Sequence, residues 1–422
     1  MNKTNNNLQS TNSTVLTNKT FFLLLVFSFA AKFYLYRNDI YTLDPKAWHT
    51  QELTMDYSYG FIRRGLAGSF ATLIKNVFNI EYPTALKTVQ IIGVLLFSVA
   101  ILIFFSSVLK FENEKAFCFI SILYISLDQT GFELTQFGLL DTYIMPITIL
   151  MVYLIVKDKA LFLIPILSGV CVLIHEAYPM MFFAVIVALL IYRFCYAEDR
   201  KAQIRYASVF LITGLVVSVL FVYFIFIHPR IDNPDIEAIK ATCTMKLGRE
   251  IEFSNLRTLW LDPTLIPNTI QADSQMWING KPTAMFFMLM KLVIANTIIC
   301  IPLIVLTAKY WIGVIRNESS KFRKFLLLIC SLSVFLVLPL IIIHNDQGRW
   351  FHDIVFFEIV VMGGMFLMNF NNERKVLSGL TKFTVLKGLL LVFYLAVYFN
   401  LGYGLNYISY NMAKVLDILG II

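Results

Sequence analysis

Most of this chain shows neither the period of two of a half-buried strand nor the narrow apolar stripe of a surface helix. It consists of long runs almost free of charge, separated by short polar loops. A helix that crosses a bilayer needs about 20 mainly apolar residues. Windows of that kind lie near 20–36, 88–109, 116–130, 142–156, 160–175, 179–195, 206–228, 284–308, 325–343, 351–370 and 387–406. The pattern predicts an all-α, polytopic integral membrane protein with about 11 transmembrane helices. The stretch 66–80, LAGSFATLIKNVFNI, is too short and too interrupted to cross, and predicts a re-entrant or interfacial helix. Residues 1–19 are rich in Asn and Thr and predict a disordered cytoplasmic N-terminus. Residues 20–422 then form a single transmembrane domain with outer loops 37–87 and 229–283, and the first apolar window reads as an uncleaved span.

Composition agrees. Of 422 residues, 58% are hydrophobic and only 15% charged, whereas soluble domains average about 25% charged residues. The net charge of +8 would suit a nucleic-acid partner, but its distribution points elsewhere. With the N-terminus in the cytoplasm, the basic residues fall in cytoplasmic loops, including 110–115, 157–159, 197–205, 309–324 and 371–387. The last two alone hold Lys309, Arg316, Lys321, Arg323, Lys324, Arg374, Lys375, Lys382 and Lys387. The short loops opposite, near 128–143, 175–179 and 344–350, carry a lone basic residue, Arg349. Counting 66–80 as a full span would reverse every later loop, which argues against it. The six cysteines form no disulfide framework, and no metal-ligand spacing, Walker motif or nucleophile elbow occurs. No metal, cofactor or nucleic-acid partner is expected, and ATP-driven transport is disfavoured.

The remaining polar chemistry collects on the outer side. MDYSYGFIRRGLAG at 55–68 places Arg63 and Arg64 against the usual charge bias, with Asp56 just before them and Gly60, Gly65 and Gly68 around them. Paired guanidiniums suit a phosphate or pyrophosphate, which the planar fork binds bidentately, and the glycines would allow close approach of a ligand. The same arginines could instead reach lipid headgroups or pair with Asp56. HNDQGRWFHD at 344–353 adds His344, Asp346 and Arg349, read as a second phosphate contact with its orienting acid or as a local ion pair. LIHEAYP supplies His175 and Glu176, a histidine beside a carboxylate, which suits a general base activating a hydroxyl or a helix-end packing feature. Asp56 is a further candidate base. Within DQTGFELTQFGLLDTY, Asp128, Glu133 and Asp141 could each bind sugar hydroxyls or act as a base. The tryptophans and acids of 229–283 suit carbohydrate, or simply a solvated cover over the helices.

Taken together, the runs, the elongated outer loop late in the chain and the outward arginines in GFIRRGLAG and DQGRW resemble the Wzy-type O-antigen polymerases of bacterial surface polysaccharide assembly. The likeness extends more loosely to membrane glycosyltransferases that use polyprenyl-linked donors. It is architectural and spans most of the chain. It implies a bacterial inner-membrane enzyme of lipopolysaccharide biosynthesis, acting on the periplasmic face. Such an enzyme moves a glycan from undecaprenyl pyrophosphate onto a lipid-linked repeat unit. The implied partners are the polyprenyl-linked glycan donor and acceptor, membrane lipids and a chain-length regulator protein. By chemical type, Arg63, Arg64 and Arg349 would contact the donor pyrophosphate. A transferase adding a single sugar from a polyprenyl-phosphate donor is the nearest alternative. A lipid-linked oligosaccharide flippase would require charges deep within several spans, and only Lys32 and Lys291 lie near one.

Overall fold

The computed structural model describes residues 48–109, 140–228, 231–232, 234–250, 277–278, 281–282, 284–343 and 347–368, with isolated helical positions before 35. Among these the architecture is helical. The extended pairing present is a two-residue antiparallel ladder, Trp277–Ile278 with Lys281–Pro282. The helices, in chain order, are α1 (Trp48–Glu52), α2 (Gly65–Phe78), α3 (Tyr82–Leu109), α4 (Asp141–Lys157), α5 (Leu163–Ile174) and α6 (Phe183–Cys195). They continue with α7 (Arg200–Val222), α8 (Ile236–Leu247), α9 (Ala284–Asn317), α10 (Lys321–Leu332), α11 (Leu338–Ile343) and α12 (Gln347–Leu367).

The predicted windows from 88–109 to 351–370, except 116–130, fall on helical stretches, with 325–343 divided into α10, a 3-10 turn at Ser333–Val337 and α11. By length and composition, four stretches among the described residues could cross a membrane: Tyr82–Val108, Arg200–Ile227, Lys321–Leu340 and Arg349–Leu367. The windows 116–130 and 387–406 and the disordered-tail reading of 1–19 lie outside the described residues, as does all of 20–36 but a few positions. Helices α5 and α6 are apolar but short. At 1.5 Å per residue they extend roughly 18–20 Å, less than the ~30 Å of a hydrocarbon core.

The segment at 66–80 is a 14-residue helix, α2. Its small residues Gly65, Ala67, Gly68 and Ala71 are buried, while Phe70, Leu73, Val77 and Phe78 face outward. That inverted distribution is what an apolar solvent selects, since only the close-packed face needs small side chains.

Helix α6 is central, packed by α4, α7, α10 and α12. Helix α5 packs on α7 and α4, and α2 joins them through α3 and α5. Burial grades from inside to outside: the spanning stretch of α12 is 89% buried, that of α7 only 17%. Helix α12 is nonetheless the least hydropathic of the four stretches. It carries Arg349, His352, Asp353 and Glu358, all buried. Ionisable groups inside a bundle are expensive and mark paired or functional sites.

The bundle's two ends differ. At one end lie the C-terminus of α5 and the N-termini of α4 and α12. At the other, Arg205 pairs with Asp158 at 2.5 Å, Arg193 donates to the carbonyls of Ile155 and Val156, and Tyr196 donates to Glu318. Of these, Asp158, Arg205 and Glu318 belong to the loops expected to face the cytoplasm, and Arg193 and Tyr196 stand at the adjoining end of α6.

Candidate functional site

The first end of the bundle gathers residues from four distant parts of the sequence. The chain leaves α1 through a 3-10 turn at Tyr57–Tyr59, whose N-cap is Asp56. Gly60 there has φ 100°, a conformation open to glycine and strained for other residues. Arg64 follows as the N-cap of α2 with φ 59°. A non-glycine residue in the left-handed region costs roughly 1–2 kcal/mol, so surrounding contacts must hold it there.

Those contacts are ionic. The Arg64 fork grips Glu176, with Nε donating to Oε2 at 2.8 Å and Nη2 to Oε1 at 2.7 Å. Its Nη1 donates to Glu52. Arg63 brings Nη1 to 3.6 Å from the same Glu176 carboxylate. Glu176 sits just past α5, beyond His175, the residue that ends that helix in an extended conformation. Across the cluster, Arg349 in the first turn of α12 grips Asp141, the first residue of α4, through Nε and through Nη2 at 2.7 Å. The Arg349 guanidinium also lies over the Trp350 ring, 4.8 Å from its centroid. The positive charge of Arg349 acts on both Arg64 and His175, so the two ion-pair groups are electrostatic neighbours at this end of the bundle.

The electrostatics follow from burial and pairing. Burial alone would raise the Glu176 pKa, but the charge and hydrogen bonds of the Arg64 guanidinium outweigh it and hold the carboxyl well below its ordinary range. Burial and the charge of Arg64 lower the His175 pKa, so its ring is neutral near pH 7. The His175 Nδ1 accepts from the Ala177 N–H at 3.1 Å and lies 3.5 Å from Glu176 Oε2. With that lone pair engaged, the proton of the neutral ring resides on Nε2.

Asp56 behaves differently. It is 2% exposed, and its carboxylate accepts from the Ser58 N–H at 3.0 Å, from Thr72 Oγ1 at 2.7 Å and from Lys246 Nζ at 2.8 Å. Burial pushes its pKa up, but those hydrogen bonds, led by Lys246, bring it below the ordinary value. A carboxylate so held is a structural anchor and a weak base.

The structure thus brings Arg63, Arg64, His175, Glu176, Asp141 and Arg349 together and gives Asp56 to a neighbouring network. Asp128, Glu133, His344 and Asp346 lie outside the described residues. Gly60 has open space around it, but Gly65 and Gly68 play another part than the expected ligand approach. A side chain at Gly68 would meet the Met55 carbonyl oxygen at 2.0 Å, and one at Gly65 would meet the Tyr57 ring at 2.7 Å, so the chain itself fills that space. Sequence reading missed Glu52, Lys246 and Glu358. Glu358, buried within α12, accepts from Trp311 Nε1 at 2.8 Å, and its signal was a lone acid in an apolar run. Glu52 and Lys246 stand in polar segments where nothing sets them apart.

Chemically, the arrangement is a set of preorganised guanidiniums oriented by carboxylates. Its Arg64 and Arg349 forks are turned to carboxylates, so a phosphate would share or displace those partners to gain bidentate contacts. Among the described residues no group of three or more potential ligands could hold a metal ion. Comparisons with protein-family models, with curated proteins and with solved structures return no match to this chain.

Proposed function

We propose that this chain is a membrane glycosyltransferase of the polymerase type, working at the outer face of a bacterial inner membrane. It would span the bilayer about 11 times with its N-terminus in the cytoplasm. The observation that carries the reading is that Arg63 and Arg64, paired with Glu52 and Glu176, and Arg349, paired with Asp141, come from distant parts of the sequence to the same end of the bundle. In this reading the donor is a glycan on polyprenyl pyrophosphate and the acceptor a lipid-linked repeat unit. As the bond to the donor breaks, negative charge builds on the departing pyrophosphate, and the guanidiniums stabilise it in a water-poor site. The carboxylates keep the guanidiniums in place between turnovers. Transfer of a single sugar from a polyprenyl phosphate would use the same cluster and differs in its product.

Replacing Arg349 by Ala tests this reading. The expected result is loss of long glycan chains from surface glycolipid at unchanged protein level, with partial recovery in Arg349→Lys. Normal chain lengths in Arg349→Ala overturn the assignment. One observation favours a second reading, a lipid-linked oligosaccharide flippase: Glu358 places a carboxyl well inside α12, where a one-face enzyme has no need of it. Retained chain extension in Glu358→Gln would set that reading aside.

A further inference from the structure

Helix α8 belongs to the second outer loop, far in sequence from the arginine pair, yet it is fastened to the outer segment that carries that pair. Asp235 caps its first turn by accepting from the Ala238 N–H at 3.0 Å, and Ile239, Cys243 and Leu247 form its buried face. At its C-terminal end Lys246 reaches down. Its ammonium donates to the Thr54 carbonyl and to Asp56 Oδ2, each at 2.8 Å. It also lies 5.3 Å from the centroid of the Tyr59 ring and 5.4 Å from that of Tyr82, within range of cation–π attraction. The Lys246 side chain is only 15% exposed and that of Asp56 3%. Two further ties lie alongside: Thr54 Oγ1 to Cys243 Sγ at 3.2 Å, and Tyr82 Oη to the Leu53 carbonyl at 2.7 Å.

The segment gripped in this way, 53–59, is flanked by the phosphate-site groups on both sides. Two residues before Thr54 stands Glu52, which receives Nη1 of Arg64. A few residues after Tyr59 stand Arg63 and Arg64 themselves. With Arg64 in a left-handed conformation, the loop from 52 to 64 has little tolerance for slack. Displacing 54–56 would move Glu52 away from Arg64 and leave Glu176 as its sole carboxylate from this pair.

We propose that Lys246 is a positioning residue: by clasping α8 to the outer segment it holds Glu52 and the Arg63–Arg64 pair in register with Glu176. This rests on the reading that the arginines bind phosphate. It extends that reading by making the second outer loop part of the site's support.

The test uses the full chain in lipid nanodiscs, comparing wild type, Lys246→Arg and the double variant Lys246→Met with Asp56→Asn. The double variant removes the clasp without leaving a buried unpaired charge. Hydrogen exchange is followed at peptides covering 52–64 and, as a control for the bundle, 183–195, and inorganic pyrophosphate binding is measured by calorimetry. The expected result is exchange about tenfold faster across 52–64 in the double variant, with the control peptide unchanged. Pyrophosphate affinity falls at least about fivefold in parallel, and Lys246→Arg recovers part of both. Wild-type exchange across 52–64 in the double variant overturns the clasp. Faster exchange with unchanged affinity overturns its positioning role. If wild type does not bind pyrophosphate, the phosphate reading fails, while the exchange comparison still decides whether Lys246 orders this segment.

Discussion

Arg64 is the residue on which the cluster turns. It satisfies two carboxylates at once and occupies a backbone conformation that non-glycine residues avoid. Removing its charge would leave Glu52 and Glu176 buried together, and breaking such a pair by deleting one partner typically costs about 3–5 kcal/mol. Arg64→Gln should therefore lower the thermal unfolding midpoint in detergent. The double variant with Glu176→Gln should recover part of that loss, as a coupled pair requires. Asp56 gives the pH-dependent counterpart. Its folded pKa lies below the ordinary carboxyl value, so it contributes stability above about pH 4 that is lost as pH falls through the folded pKa. Asp56→Asn should lower the unfolding midpoint at pH 7, and the gap to wild type should narrow steadily as the pH is brought below about 4. A gap that is constant over that range would mean that the carboxylate charge is not what holds the segment.

At the scale of elements, α2 shows how the sequence could be read and where reading stopped. Its length and interrupted apolarity foretold a short re-entrant or interfacial helix, and a helix of 14 residues is what forms there. What the motif around Arg63 and Arg64 did not disclose is why its glycines are there. Gly68 lies against the backbone of 53–55, so Gly68→Ala should push α2 off that segment and cost about 1–3 kcal/mol. Gly214 in α7 has nothing within 4 Å of the added methyl. Gly214→Ala should leave stability unchanged or raise it by up to roughly 1 kcal/mol, the helix-propensity difference. Comparing the two unfolding midpoints checks both. The helices were legible because lipid imposes a length and a composition on each of them. The partners of Arg64 and Arg349 were legible only as types. Glu176 and Asp141 stood out as acids at the ends of apolar runs. Glu52 and Lys246 did not, because a polar residue in a polar loop carries no local mark of the long-range contact it will make.

For the whole molecule, charge sidedness and ion-pair geometry point the same way. Among the described residues, the basic loops 157–159, 197–205 and 309–324 meet at one end of the bundle, and the paired arginines lie at the other. Single cysteines at Asp232 and at Lys201, both exposed, in a background without the native cysteines, should react with a membrane-impermeant maleimide from opposite sides. Labelling of both from the same side would contradict the predicted orientation. The central claim, that the outer arginine cluster serves extension of a lipid-linked glycan, is tested most directly by a gel of surface glycolipid. The cells compared lack the chain or carry it restored. Loss of the long ladder is expected without the chain, with a single repeat unit still attached to the lipid core, and the ladder should return on restoration. An intact ladder in cells lacking the chain would contradict it.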